Sequence, residues 1–168
     1  MALPPVTRTL ITATVVVDMA ALEGAISIRP ARSDDAAALA ELSTQLGYPA
    51  DQDTLSRRLT LVRDQGVGEV FVATDAHGRV LGWTHVVPRL HLEESPFAEL
   101  AGLVVGDGAR GAGVGAALLS ATEQWAREHG FAHFRVRSNV VRERAHRFYL
   151  REGYVERKRQ VVFDKALD

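Results

Sequence analysis

Cysteine is absent from the sequence, so the fold can draw on neither disulfides nor thiolate-held metal. Long apolar runs are missing as well. The roughly 18 consecutive apolar residues of a membrane-crossing helix never occur, since even Ile11–Val17 is broken by Thr12 and Thr14. The chain start lacks the basic-then-apolar order of a secretory leader, and together these gaps point to a soluble protein with a cytoplasmic location. An excess of positive charge is lacking too. A net charge of −1 provides no basic stripe to neutralise phosphates, so no nucleic acid and no membrane are expected as partners. His85, His91, His133 and His146 follow no ligand spacing such as H-E-x-x-H, and no metal is expected. No G-x-x-x-x-G-K-[ST] occurs, which excludes a Walker loop.

What is present suits one core: 168 residues, 46% of them hydrophobic, fall near the usual size of a single domain. The charges are unevenly placed. Residues 1–100 carry a net −5 and residues 101–168 a net +4, so an anionic ligand should favour the C-terminal half and a cationic one the N-terminal half.

Residues 1–24 show no clear period and read as an N-terminal extension, with a domain over residues 25–168. Ile26–Pro30 alternates like a short strand. Ser33, Asp34 and Asp35 then offer a cap and first-turn charge to a helix striped by Leu39, Leu42 and Leu46, which Gly47-Tyr48-Pro49 stops. Asp51 or Asp53 opens a second helix carrying Leu55, Leu59 and Val62. Gly68–Thr74 and Arg79–Val87 flank the hairpin signature Asp75-Ala76-His77-Gly78. A third run, Phe97–Val105, completes an antiparallel meander. A helix with Val114, Leu118, Ala121 and Trp125 on one side follows, ended by Gly130. Then come a strand over Phe131–Ser138, a helix over Val141–Glu152, and two closing strands at Tyr154–Arg157 and Val161–Lys165. The expected fold is mixed α/β: a mostly antiparallel seven-stranded sheet, about four helices and one parallel βαβ crossover.

The segment from Val105 to Gly115 joins a strand to an amphipathic helix through five glycines and Arg110. Such a loop suits phosphate, because glycine lets the backbone approach a ligand and a helix start presents unpaired N–H donors. Gly111-Ala112-Gly113-Val114-Gly115-Ala116 also fits the dinucleotide pattern G-x-G-x-x-A, which would want an acidic residue about 20 positions on. Arg135, Arg137 and Ser138 stand there instead.

With Arg110, Gly113 and Gly115 meeting Q/R-x-x-G-x-G/A after a hydrophobic strand, the sequence resembles the GNAT superfamily of N-acetyltransferases, from about Ile26 onward. The resemblance implies acetyl-CoA as cosubstrate, held at Leu103, Val104, Val105, Arg110, Gly111, Ala112, Gly113, Val114, Gly115 and Ala116. A second family pattern, N-x-x-A-x-x-F-Y ending in Gly-aromatic, is matched by Ala145, Phe148, Tyr149, Gly153 and Tyr154. Arg142 replaces its asparagine and Asn139 lies three residues earlier, so Asn139, Arg142 and Arg144 are the remaining candidates for cofactor contact.

When an amine attacks a thioester, a phenol can supply or share the proton that the departing thiolate needs, and the resemblance gives Tyr149 that role. The amine must also lose a proton, its ammonium pKa being near 10.4. Glu99, six residues before Val105 in an apolar run, is similar in placement to the catalytic glutamate of the family's histone-acetylating branch. Trp83 and Tyr48 are candidates for an acceptor pocket. The expectation is therefore an acyltransferase that moves acetyl from acetyl-CoA to a primary amine of a small molecule, a lysine or an N-terminus, in a ternary complex. The alternatives are a non-catalytic acyl-CoA sensor and an NADP-binding module. The resemblance leaves a homodimer open.

Overall fold

Alternation near the chain start buries Ile28 and sets Ser27–Pro30 as the first strand, β1. The computed structural model describes residues 26–167, so the expected extension over residues 1–24 lies outside the described residues. The chain divides into two compact units, Met1–Val136 and Arg137–Asp168.

In the first unit, β1 is followed by β2 (Glu69–Thr74), β3 (Val80–Arg89), β4 (Phe97–Val105) and β5 (Phe134–Val136). They form one sheet in sequential order. The first three pairings are antiparallel and β4 with β5 is parallel, so the expected meander and βαβ crossover are both present.

Helix α1 (Ala36–Leu46) follows a short 3-10 turn at Ser33–Asp35. The cap of α1 is thus Asp35 rather than Ser33. Its buried carboxylate receives Arg29 Nη1 and Nη2 at 2.7 and 2.8 Å and the Arg32 N–H at 2.7 Å. Asp51 caps α2 (Gln52–Gln65) by accepting the Thr54 N–H at 2.7 Å. α3 spans Val114–Glu128.

Two apolar layers flank the sheet. On one side α1 and α2 contribute Leu39 and Leu59, which pack with Val70 and Val72 of β2 and Trp83 of β3. On the other side α3 contributes Val114 and Leu118, packed with Ile28, Ala73, Leu103 and Val105, and Ala126, packed with Val86 and Ala98. Full burial of side chains such as Val72 and Leu118 is worth roughly 1.5–3 kcal/mol each.

The second unit holds α4 (Glu143–Arg151). It starts two residues later than expected because Asn139 folds the preceding chain into a turn, its side-chain oxygen accepting the Val141 N–H and its carbonyl the Arg142 N–H.

Among the described residues the sheet has five strands, not seven. Tyr154–Arg157 and Val161–Lys165 form no strand, and Val161, Val162 and Phe163 are 77%, 88% and 92% exposed. A strand exists only through a ladder partner. Glu156 through Gln160 is a wholly polar run that offers no apolar face to dock, and Arg159 bonds Glu156 locally at 2.8 Å instead. The expected strand Phe131–Ser138 contracts to β5, which pairs with Ala98, Glu99 and Leu100 of β4.

Candidate active site

The register of β4 decides where its side chains point. His85 of β3 faces Gly102 and Val86 faces Leu100, so Ala101 is an extra residue, a bulge. A bulge inverts alternation, and the packing records it. Ala98 lies in the α3 layer before the bulge, whereas Leu103 and Val105 lie there after it. Glu99 therefore falls on the face opposite α3, together with Phe97, Gly102 and Val104. Beyond Leu100, β5 offers β4 no further partner, so the outer backbone edge of Ala101–Val105 has no strand partner among the described residues.

Glu99 is 3% exposed. The sequence placed it among apolar residues, but the fold gives it a cation: Arg89 Nε and Nη2 both donate to Oε1, at 3.1 and 2.8 Å. Arg135, in register with Glu99, bonds Glu94 through both terminal nitrogens at 2.8 and 2.7 Å and lies 3.8 Å over the Phe97 ring. The Arg135 bonds hold the Glu94 carboxyl far below its ordinary range, at about 2.

At the other end of β4 the chain leaves Val105 through a short 3-10 turn, Asp107–Ala109, into Arg110 and α3. Gly111 and Gly113 take φ of 85° and 80°, a left-handed backbone that disfavours any other L residue. Gly113 is the α3 N-cap and brings no side-chain acceptor. The first helical bond of this turn runs from Ala117 N–H to Gly113 O at 3.0 Å, so the N–H groups of Val114, Gly115 and Ala116 precede it. The helix dipole adds partial positive charge there, and Arg110, paired to Asp107 and donating to Val105 O at 3.3 Å, stands beside it.

Backbone rather than side chains would make the contact with an anion. Val104 and Val114 are buried, while Leu103, Val105 and Ala112 pack in the α3 layer. Gly111 has open space where a Cβ would stand. These features fit a diphosphate gripped by main-chain amides.

In the second unit, Tyr149 of α4 is half-buried and contacts Phe148 and Tyr154 edge to face. Burial pushes its hydroxyl up to about 12, against the pull of the Arg142 charge. Arg142 is the N-cap of α4, Arg144 is exposed on its first turn, and Asn139 shapes the turn before it.

Of the acceptor-pocket candidates, Trp83 packs in the α1 and α2 layer with its ring against Gly102. Tyr48 is 67% exposed. Sequence reasoning missed Arg89, the Glu94–Arg135 fork and the Ala101 bulge. For Arg89 a signal existed in retrospect: β3 runs two residues past its expected end, and a hairpin partner reaching Phe97 puts Arg89 diagonal to Glu99.

The profile of the acetyltransferase (GNAT) family matches residues 36–154. An aminoglycoside N(6')-acetyltransferase type 1 of Stenotrophomonas maltophilia is 34% identical over 151 residues, covering 88% of this chain and 97% of its own. An aminoalkylphosphonate N-acetyltransferase of Salmonella typhimurium is 37% identical over 92 residues, 54% of this chain and 58% of its own. Among solved structures, the aminoglycoside N-acetyltransferase AAC(6')-Iy in complex with CoA superposes with a TM-score of 0.78 at 18% identity, over 88% of this chain and 99% of that one. At that identity the likeness speaks for the fold.

Proposed function

We propose that this chain, which belongs to the acetyltransferase (GNAT) family and transfers acetyl from acetyl-CoA to an amine, acts on a cationic, amine-rich small molecule of the aminoglycoside kind. The acidic N-terminal half and the buried Glu99 support a cationic acceptor. The relative matched over nearly its whole length carries an aminoglycoside name. A non-catalytic acyl-CoA sensor is not favoured, since both curated relatives are named for acetyl transfer.

Acetyl-CoA, when bound, supplies an activated thioester. The N–H groups from Val105 to Ala116 hold its diphosphate and pantetheine, with Arg110 adding charge, and Asn139, Arg142 and Arg144 are the further contacts. The open backbone edge of β4 past Ala101 is suited to polarise the thioester carbonyl. Glu99, directly or through a water it orders, takes the ammonium proton, and the freed amine attacks within a ternary complex.

Magnitudes define the part of Tyr149. A phenol held at about 12 gives up its proton less readily than a thiol of pKa near 8.5. Full transfer to the thiolate is therefore uphill, and Tyr149 acts by sharing its proton through a hydrogen bond as the C–S bond breaks.

The observation that carries the reading is the uncapped α3 N-terminus behind two left-handed glycines, at the end of the strand that holds Glu99. Thiol release from acetyl-CoA, followed over a panel of amines with Tyr149→Phe alongside, tests it. Turnover confined to cationic amines supports the reading; turnover on none of them sinks the acceptor assignment.

A further inference from the structure

Arg89 ends β3 opposite Phe97, and its guanidinium reaches diagonally to Glu99. The two partners differ sharply in exposure: the Arg89 side chain is 43% exposed and the Glu99 side chain 5%. A buried carboxylate that loses a guanidinium bonded at 2.8 Å gives up a charge-assisted contact in a poorly hydrated place, whereas a half-exposed guanidinium that moves away regains water. The nearby Arg135 is committed elsewhere, both ends of its fork lying on Glu94 and its face on Phe97. Among the described residues, Arg89 is thus the cation of this cluster with both a hold on Glu99 Oε1 and a route to solvent.

We propose that Arg89 is a specificity-determining residue that occupies Glu99 in the free enzyme and yields its place to the ammonium of the acceptor. The idea rests on the reading of Glu99 as the group that receives the amine. A cationic acceptor can replace the guanidinium charge on Glu99 whereas a neutral one cannot, so a neutral acceptor leaves Arg89 in place and is refused. Once the ammonium proton has passed to Glu99, the carboxyl is neutral and no cation is needed there. Arg89 therefore selects for charge on arrival and competes with every acceptor that carries it.

The test measures KM and kcat for two acceptors, the best cationic primary amine of the panel and trifluoroethylamine, which is largely neutral at assay pH. The proteins are the parent, Arg89→Gln, Arg89→Lys and Glu99→Gln. The expected result for Arg89→Gln is a KM about fivefold lower for the cationic amine, the competitor being gone, and a narrowed preference for that amine over the neutral one. Arg89→Lys restores parent-like preference. A KM that is unchanged or raised, with a lower kcat, overturns the proposal and leaves Arg89 as a support for the Glu99 rotamer. Should Arg89→Gln fail to fold, Arg89→Lys carries the test: with fewer bonds to Oε1, it should lower KM about twofold, and an unchanged KM overturns the idea. Glu99→Gln separates the two layers. If it turns over like the parent, the reading of Glu99 and this proposal fall together. If it loses at least tenfold in kcat/KM while the Arg89 variants leave KM unmoved, the role of Arg89 alone is refuted.

Discussion

Glu94 and Arg135, 41 residues apart, are joined by two hydrogen bonds of 2.8 and 2.7 Å that fasten the turn before β4 to β5. His91 adds a third side to this fastening, with Nδ1 3.3 Å from Glu94 Oε1 and its ring edge-on to Phe97. The fork has a pH signature. Because Arg135 lowers the Glu94 carboxyl from 4.5 to about 2, its stabilising share is complete above the ordinary value and fades as pH falls toward the lowered one. Melting temperatures of the parent and Glu94→Gln should differ at pH 6 and converge on approach to pH 2. A gap that persists at the acid end would mean that the fork contributes little.

Tyr149→Phe removes the proton-sharing hydroxyl and leaves the ring. We expect kcat to fall about 10- to 100-fold, the scale of a hydrogen bond to a developing charge, with little change in KM for acetyl-CoA. Because the hydroxyl sits at about 12, the parent should show no alkaline loss of activity from this group below about pH 11. A loss near pH 10 that Tyr149→Phe abolishes would contradict the burial argument.

Gly111→Ala places a Cβ in open space yet at φ of 85°, so the cost is backbone strain of about 1–2 kcal/mol. If the loop grips the diphosphate, relaxing that strain displaces its amides, and Kd for CoA by calorimetry should rise about tenfold. An unchanged Kd with a lowered melting temperature would separate the turn from the ligand.

Leu118→Ala empties a fully buried position between α3 and the sheet. Urea denaturation should show a loss of about 2–5 kcal/mol. Acceptor specificity should be unaltered at temperatures where the variant is folded.

Local patterns carried most of the fold to the surface of the sequence. β4 matches its expected span because apolar residues fill it from a polar turn to the glycine loop. Gly47 and Gly130 end their helices at left-handed φ as their type suggests. The Asp51 cap likewise needed only the next three residues. What stayed hidden depends on register. The Arg89–Glu99 and Arg135–Glu94 pairs arise only once β3 and β5 are aligned on β4, and nothing local in Ala101 marks it as surplus. The closing strands failed for a related reason: apolar residues such as Val161–Phe163 announce a strand, but a strand needs a neighbour that composition cannot supply.

Strand length is also a functional variable here. Deleting Ala101 would close the bulge and leave alternation unbroken through β4, with Glu99 still on the face opposite α3 and Leu103 and Val105 still in the oily layer beneath it. Loss of Val104, inside the regular stretch, would instead turn Val105 out of that layer while the bulge stays, so such a deletion should be more damaging than the loss of one small, unremarkable alanine.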